Sequence, residues 1–504
     1  MSSRRRHRAH PRTAARGFWH VAVAVLVLTA FAATASTAAA NQGKVNVVTK
    51  TPPGGPPPKN TAYFTTIQAA VKASTNGDYV LITPGVYNEA VKVSSAHSGI
   101  TIRGMNRNSV IVDGQHKAGN GIEVLWANNV SIENLTVRNF DEPCEGEDCG
   151  NEIWWNGGDE SGKIGAHGWY GSYLTTYDTG LNGAYGIFTS NEIEGSWENI
   201  YASGFNDAGM YLGACQECQA RIVKATMENN ALGYSGSNSG GSLAIEDSIF
   251  RHNSIGINPN SENPSDPPPP QDGECKRQNV EHPDPTPIIT STKIKRCTVL
   301  RNNLVIDNNN LSAPAVGGPA GSWGSGILLP GDYADLVEGN VIVGNANNGV
   351  LGLEYPNPFP PTLETIFFQV AGNKVANNVF VHNGYNPTYS GSQFASDVMF
   401  TGGYSELFGG PESQSVNNCV SGNLLPDGSF PANIEGTWGC KNKTTPVPGF
   451  GGFGPAELPE SVEYLLQLKE ESEARTPEGQ PAPPPQPTMP NPCQGVPKNP
   501  LCGK

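Results

Sequence analysis

Charge is scarce in this 504-residue chain: 15% of its residues are Asp, Glu, Lys or Arg, against roughly 25% in an ordinary globular domain. Methionine is rare too, at six residues. Such a composition excludes a helical bundle or coiled coil, which draws heavily on Ala, Glu, Lys and Leu. Long apolar runs are missing; the longest, Val21 to Ala33, falls short of the ~20 residues a bilayer-spanning helix needs. Basic residues are outnumbered, 32 Lys and Arg against 46 acids. What the chain has in abundance is punctuation: 60 Gly, 42 Pro and 48 Asn. Evenly spread, so much Gly and Pro would mean disorder, yet Val, Ile, Trp, Tyr and Phe lie between the breakers. The composition points to a turn-rich all-β architecture with disordered segments.

The N-terminus carries Arg4, Arg5, Arg6, Arg8, Arg12 and Arg16, then the apolar run, then Ala38-Ala39-Ala40. A basic segment, a short apolar segment and an A-x-A site make an export signal over residues 1–40, the alternative being an uncleaved anchor. Its removal takes away six Arg and leaves 26 basic residues against 46 acids, which disfavours a nucleic-acid partner. The ten Cys fall close together as Cys144/Cys149, Cys215/Cys218, Cys275/Cys297, Cys419/Cys440 and Cys493/Cys502. An even count in an exported chain reads as disulfides, with nearest-neighbour pairing one connectivity among many. Cys215-Gln216-Glu217-Cys218 lacks a second C-x-x-C, so a structural pair is expected there. The expected location is extracellular or at the cell surface.

The Gly and Asn are periodic. Gly followed by an apolar residue recurs at Gly186, Gly209, Gly233 and Gly256, and again at Gly326 and Gly349, with steps of 23 or 24. Each unit also ends in an apolar pair and an Asn, as in Ile249-Phe250-Arg251-His252-Asn253 and Val379-Phe380-Val381-His382-Asn383. Units this short hold two or three brief strands and bury nothing alone; stacked, they share one core. A β-propeller needs blades of about 40–50 residues, twice this period. Asn206, Asn230 and Asn253 each precede the repeat Gly by three residues, so they are expected to stack as a hydrogen-bonded ladder. His252 and His382 share the turn position beside it and read as turn residues.

Thr66-Ile67-Gln68-Ala69-Ala70-Val71, followed by Gly77-Asp78-Tyr79-Val80-Leu81-Ile82-Thr83-Pro84-Gly85-Val86-Tyr87, resembles the opening of right-handed parallel β-helix proteins of the pectin-lyase-like superfamily. So does Ile100-Thr101-Ile102-Arg103-Gly104 with Val110-Ile111-Val112-Asp113-Gly114. The resemblance covers roughly residues 60–425 and implies a capping helix over Ile67–Ala73. It is specific for fold and weak for chemistry, because this superfamily hosts lyases, hydrolases, esterases, epimerases and adhesins. None of the methylesterase, hydrolase, epimerase or pectate-lyase signature motifs is present, so no catalytic residue transfers by resemblance.

The expected organisation is a Pro-rich linker at 41–60, a β-helix domain at 61–445 with insertions at 141–185 and 259–288, and a Pro-rich, mostly disordered tail at 446–504. Within that tail Leu458–Glu473 reads as a short amphipathic helix. Trp154, Trp155, Trp169 and Tyr170 in the first insertion are the candidate substrate-binding residues, since aromatic faces stack on sugar rings; the alternative is that they form the insertion's own core. Asp141, Glu145 and Asp148 flank Cys144 and Cys149 and are candidate Ca²⁺ ligands, or else a solvated acidic loop. Asp207, His167 and Asp178 are the candidate acid/base residues, because uronate elimination needs a base and glycoside hydrolysis two carboxylates. The expected function is binding and cleavage of an extracellular polysaccharide as a lyase or glycoside hydrolase, with a non-catalytic carbohydrate-binding or adhesion protein as the alternative.

Overall fold

In the computed structural model the described residues are 43–143, 149–158, 163–261, 296–315, 322–356, 367–386, 393–402, 417–440 and 457–503. Each coil contributes one short strand to each of three parallel sheets, which makes the chain a right-handed parallel β-helix. Among the described residues these sheets have 13, 10 and 11 strands, called here the first, second and third. One coil shows the pattern: Leu243–Glu246 lies in the first sheet, Ile249–Arg251 in the second and Ile255–Asn260 in the third.

The sharing of one core is visible in the register. Ile222, Ile245, Leu300, Val337, Val375 and Val420 stand in one column of the first sheet. Met227, Phe250, Val305, Ile342 and Phe380 do the same in the second. All are buried, and each such side chain contributes about 1.5–3 kcal/mol of transfer free energy. Strands end where the backbone turns left-handed, as at Asn229, His252, Asn302, Asp307 and His382. Asn reaches that region at lower cost than most residues because its short amide bonds locally.

The ladder forms, with one change of membership. Asn230 donates to Asn253, Asn253 to Asn308, Asn308 to Asn345 and Asn345 to Asn383. Asn206 stands outside it: the backbone N–H of Phe205 takes the Asn230 carbonyl, while Asn206 bonds to Leu181. The step from Phe205 to Gly209 is one residue longer than that from Asn230 to Gly233, so spacing from the glycine picks the wrong residue. A second ladder runs through Asn303, Asn340, Asn378 and Asn423 to Glu435, and a third through Asp335, Asn373 and Asn418. Each of the three corners of the coil thus carries its own.

The repeat glycines form a column of the third sheet facing the first ladder. A Cβ on Gly209, Gly233, Gly256 or Gly326 would come within 2.6–2.9 Å of the Nδ2 of Asn230, Asn253, Asn308 or Asn345 respectively. Nothing larger fits where that amide packs.

Residues 141–185 do not leave the repeat as expected. Asn151–Asn156 pairs with Asn120–Leu125 and Tyr185–Ser190, Trp169–Ser172 with Val130–Glu133, and Thr175–Tyr177 with Thr136–Arg138. This is a complete coil with longer corners. Its repeat signal is hidden because Glu152 occupies the glycine column, between Gly121 and Gly186.

Both flanks are also more structured than composition suggested. Val45–Val48, inside the expected linker, pairs with Thr61–Phe64 and Tyr79–Ile82 and extends the first sheet. The helix Ile67–Lys72 is N-capped by Thr66, and its first two free N–H groups donate to Glu89. At the other end the helix Glu457–Glu473 buries Tyr464 and Leu468 against Leu351, Met399 and Phe430. The Pro-rich tail then runs back along the solenoid as an extended strap. Gln480 bonds to Ser312, Arg107 to Pro487, Asn134 to Thr488 and Met489, and Arg103 to Pro492 and Gln494. Proline suits this role because it holds an extended backbone without needing a donor. Disulfides join Cys215–Cys218, Cys419–Cys440 and Cys493–Cys502; Cys144 and Cys275 lie outside the described residues. Among the described residues no helix is long and apolar enough to cross a membrane.

Candidate functional site

Three consecutive coils bring acids together at the corner between the second and third sheets. Strands Val110–Asp113, Thr136–Arg138 and Thr175–Tyr177 are neighbours, and the residues that follow them turn the same corner. Arg138 clamps the row from outside, donating to Asp113 at 2.7 Å and to the Tyr177 hydroxyl at 2.6 Å. Beneath it, Gln115 and His116 both adopt left-handed backbone. That turn sets the His116 ring against two carboxylates: Nδ1 lies 2.8 Å from Asp141 Oδ1 and 3.8 Å from Asp178 Oδ1. Nε2 meets the Thr179 hydroxyl at 3.3 Å.

Asp178 is 1% exposed and Asp141 6%. Asp178 accepts the backbone N–H groups of Gly180 and Gly183. Gly180 approaches so closely that a Cβ there would lie 2.2 Å from Asp141 Oδ2. Glu152 reaches the corner from the glycine column. Its Oε1 accepts the Phe140 N–H at 3.1 Å, while Oε2 is buried with no hydrogen-bond partner. Burial, then the charge of Asp178, holds the Glu152 carboxyl well above the usual carboxylate range; burial raises Asp178 as well.

Beside this corner the outer face of the third sheet carries an aromatic row. Trp154, Phe188 and Tyr211 stand in register on successive coils. Trp154 stacks on Phe188 at 4.9 Å, and Tyr211 meets Phe188 edge-on at 4.9 Å. Tyr185 fills the angle between Phe188 and Tyr211 and donates its hydroxyl to Asp207 Oδ2 at 3.0 Å. Trp154 is 7% exposed, and Tyr185 and Tyr211 are half-buried. Glu123 and Lys92, an ion pair at 2.9 Å, continue the row at one end. Leu328 and Leu351 continue it on later coils, Leu351 lying in the cluster that the helix Glu457–Glu473 joins.

The structure therefore separates the expected residues. Asp141 and Asp178 meet, together with His116, which the sequence did not single out. Like His252 and His382 it has left-handed backbone, but it lies two residues further round the corner. Asp207 is on the same corner one coil later. His167 is on the opposite side of the strand, at the corner between the third and first sheets, 3.9 Å from Glu194, and joins neither Asp178 nor Asp207. Tyr170 is 40% exposed on the first sheet. Trp155 and Trp169 are core residues with no face for a ligand. Trp155 stands in register with Val124, pointing inward, and donates to Val130 O, and Trp169 packs on Trp197 at 4.8 Å. The alternation of a strand decides this: Trp154 faces out and Trp155 in. Glu145 and Asp148 lie outside the described residues.

No family model matches this chain, and no curated protein does. Solved structures do. The A-module of a mannuronan C-5 epimerase from Azotobacter vinelandii is 13% identical, with a TM-score of 0.37, over 71% of this chain and 89% of that one. A PL6-family alginate lyase is 12% identical, TM-score 0.40, over 66% of this chain and 39% of its own. A pectate lyase is 13% identical, TM-score 0.33, over 67% and 76%. At these identities no activity passes to this chain, and the fold rests on the strand register described above.

Proposed function

We propose that this is an exported β-helix protein that binds an extracellular polysaccharide along the outer face of the third sheet and cleaves it, by elimination or hydrolysis. The observation that carries the reading is the aromatic row of Trp154, Phe188, Tyr185 and Tyr211 with Asp207 at its edge. Tyr185 and Tyr211, half-buried, offer rings with polar tips that suit sugar rings, over a base formed by the buried, mutually stacked Trp154 and Phe188. Asp207, bonded to the Tyr185 hydroxyl, is the group placed to take or give a proton at a sugar lying on that row. Export is supported by the leader pattern at residues 1–40 and by the disulfides.

A non-catalytic glycan-binding role is the second reading. It is favoured by the burial of Asp141 and Asp178 and by the ion pair with Lys92 that engages Glu123, the other carboxylate on the row. The two are separated by incubating the mature chain with pectic, alginate and other glycans, with and without Ca²⁺. Unsaturated uronates absorb in the ultraviolet after elimination, and new reducing ends report hydrolysis. The enzyme reading expects product from the native chain and none from Asp207→Asn. Binding without product on every glycan would leave the second reading standing.

A further inference from the structure

We infer that His116, Asp141 and Asp178 form a binding site for one divalent cation of the Zn²⁺ or Mn²⁺ type, which ties three consecutive coils together at the corner between the second and third sheets. One ligand atom from each lies within 4.8 Å of the others. Two ligands on opposite sides of an ion, each at about 2.0–2.4 Å, are separated by no more than about that distance. A single ion can therefore touch all three.

The independent observation is Glu152. Its Oε2 is fully buried and without a partner, on a side chain that reaches this corner from a column otherwise given to glycine. A buried carboxyl oxygen without a partner is costly, and this one stands close enough to Asp178 and Asp141 to feel their charge. Among the described residues the only basic side chain paired with those two acids is His116; Arg138 is engaged with Asp113 and Tyr177.

The donor set selects the ion. An imidazole nitrogen beside carboxylates suits Zn²⁺ and Mn²⁺, whereas Ca²⁺ takes six to eight oxygens. The position gives the ion a task as well. The first Asn ladder starts at Asn230 and reaches back only to the backbone of Phe205. In earlier coils this corner is tied by Asn139, which accepts from Thr179, and by Asn206, which donates to Leu181, and an ion across His116, Asp141 and Asp178 adds a further cross-coil tie. The inference stands whether or not the chain cleaves a glycan.

The test is metal binding by the mature chain after stripping with EDTA and dialysis, read by calorimetry, bound-metal analysis and thermal melting with Zn²⁺, Mn²⁺ and Ca²⁺ in turn. One Zn²⁺ or Mn²⁺ per chain and a raised Tm are expected. Asp178→Asn and His116→Gln should each weaken binding at least tenfold, and Asp307→Asn, on the same corner several coils away, should not. His116 is half exposed, so His116→Gln carries the test if Asp178→Asn fails to fold. No Zn²⁺ or Mn²⁺ binding, binding unchanged by either variant, or a preference for Ca²⁺ would each overturn the inference.

Discussion

Asn383 donates from Nδ2 to Asp397 Oδ1 at 3.0 Å, so a ladder of five asparagines ends on a carboxylate. Asp397 stands in the glycine column, opposite Gly349. Burial pushes its carboxyl up to about 6. The two acids of that column, Glu152 and Asp397, lie on opposite sides of the ladder region and each closes the corner with a hydrogen bond that glycine could not make.

Asn308 is a middle rung of that ladder. Its amide donates to Phe250 O and Asn345 Oδ1 and accepts from Asn253. Asn308→Ala removes these bonds and strands the Asn253 amide in the core, a cost of about 2–4 kcal/mol. A fall in unfolding free energy of that size, read from urea denaturation, is expected. A near-neutral effect would show that the ladder only accompanies the packing.

Asp335 occupies a position in the third ladder where later coils have Asn373 and Asn418. Burial raises its carboxyl and that of neighbouring Asp332. With the folded-state value raised, the folded chain holds a proton that the unfolded chain releases, so stability falls as pH rises past about 4. Asp335→Asn should keep the Thr298 bond and remove this loss. A gain of roughly 1–3 kcal/mol at pH 8, shrinking towards zero at pH 4, is expected from denaturant midpoints. An equal effect at both pH values would refute the assignment.

Trp155 and Tyr211 should part company under mutation. Trp155→Ala opens a core cavity and should cost about 3–5 kcal/mol. Tyr211→Ala should stay within ~1 kcal/mol in stability yet weaken glycan binding, measured by affinity electrophoresis. Unchanged retention in the gel would remove the aromatic row from the proposed function.

The tail strap depends on a few side chains of the solenoid. Arg103 holds the carbonyls of Pro492 and Gln494 at 3.0 and 2.8 Å. Arg103→Ala should raise the rate of limited proteolysis within residues 485–500 severalfold while the coils stay resistant. Mass spectrometry of the first cleavage products checks this, and unchanged cleavage would mean that other contacts suffice.

Much of the fold was legible because its repeat is local. Gly209, Gly233 and Gly256 mark successive coils, and at each a Cβ would run into an Asn amide. Where Glu152 replaces the glycine the signal vanished, and a regular coil looked like a loop. The candidate site was harder to read. Asp141 and Asp178 stood out as acids, but His116, 25 and 62 residues away in sequence, meets them only through stacking. Trp154 and Trp155 were indistinguishable until the strand register gave each its side.

The sequence by itself determined the coil, its length, its turn residues and the parallel stacking, since a 23-residue unit with strands of three to six residues has no other way to bury its apolar face. Only the tertiary structure decided which side chains meet across coils. Those meetings depend on register and corner length, where one extra residue, as between Phe205 and Gly209, moves an Asn out of its ladder.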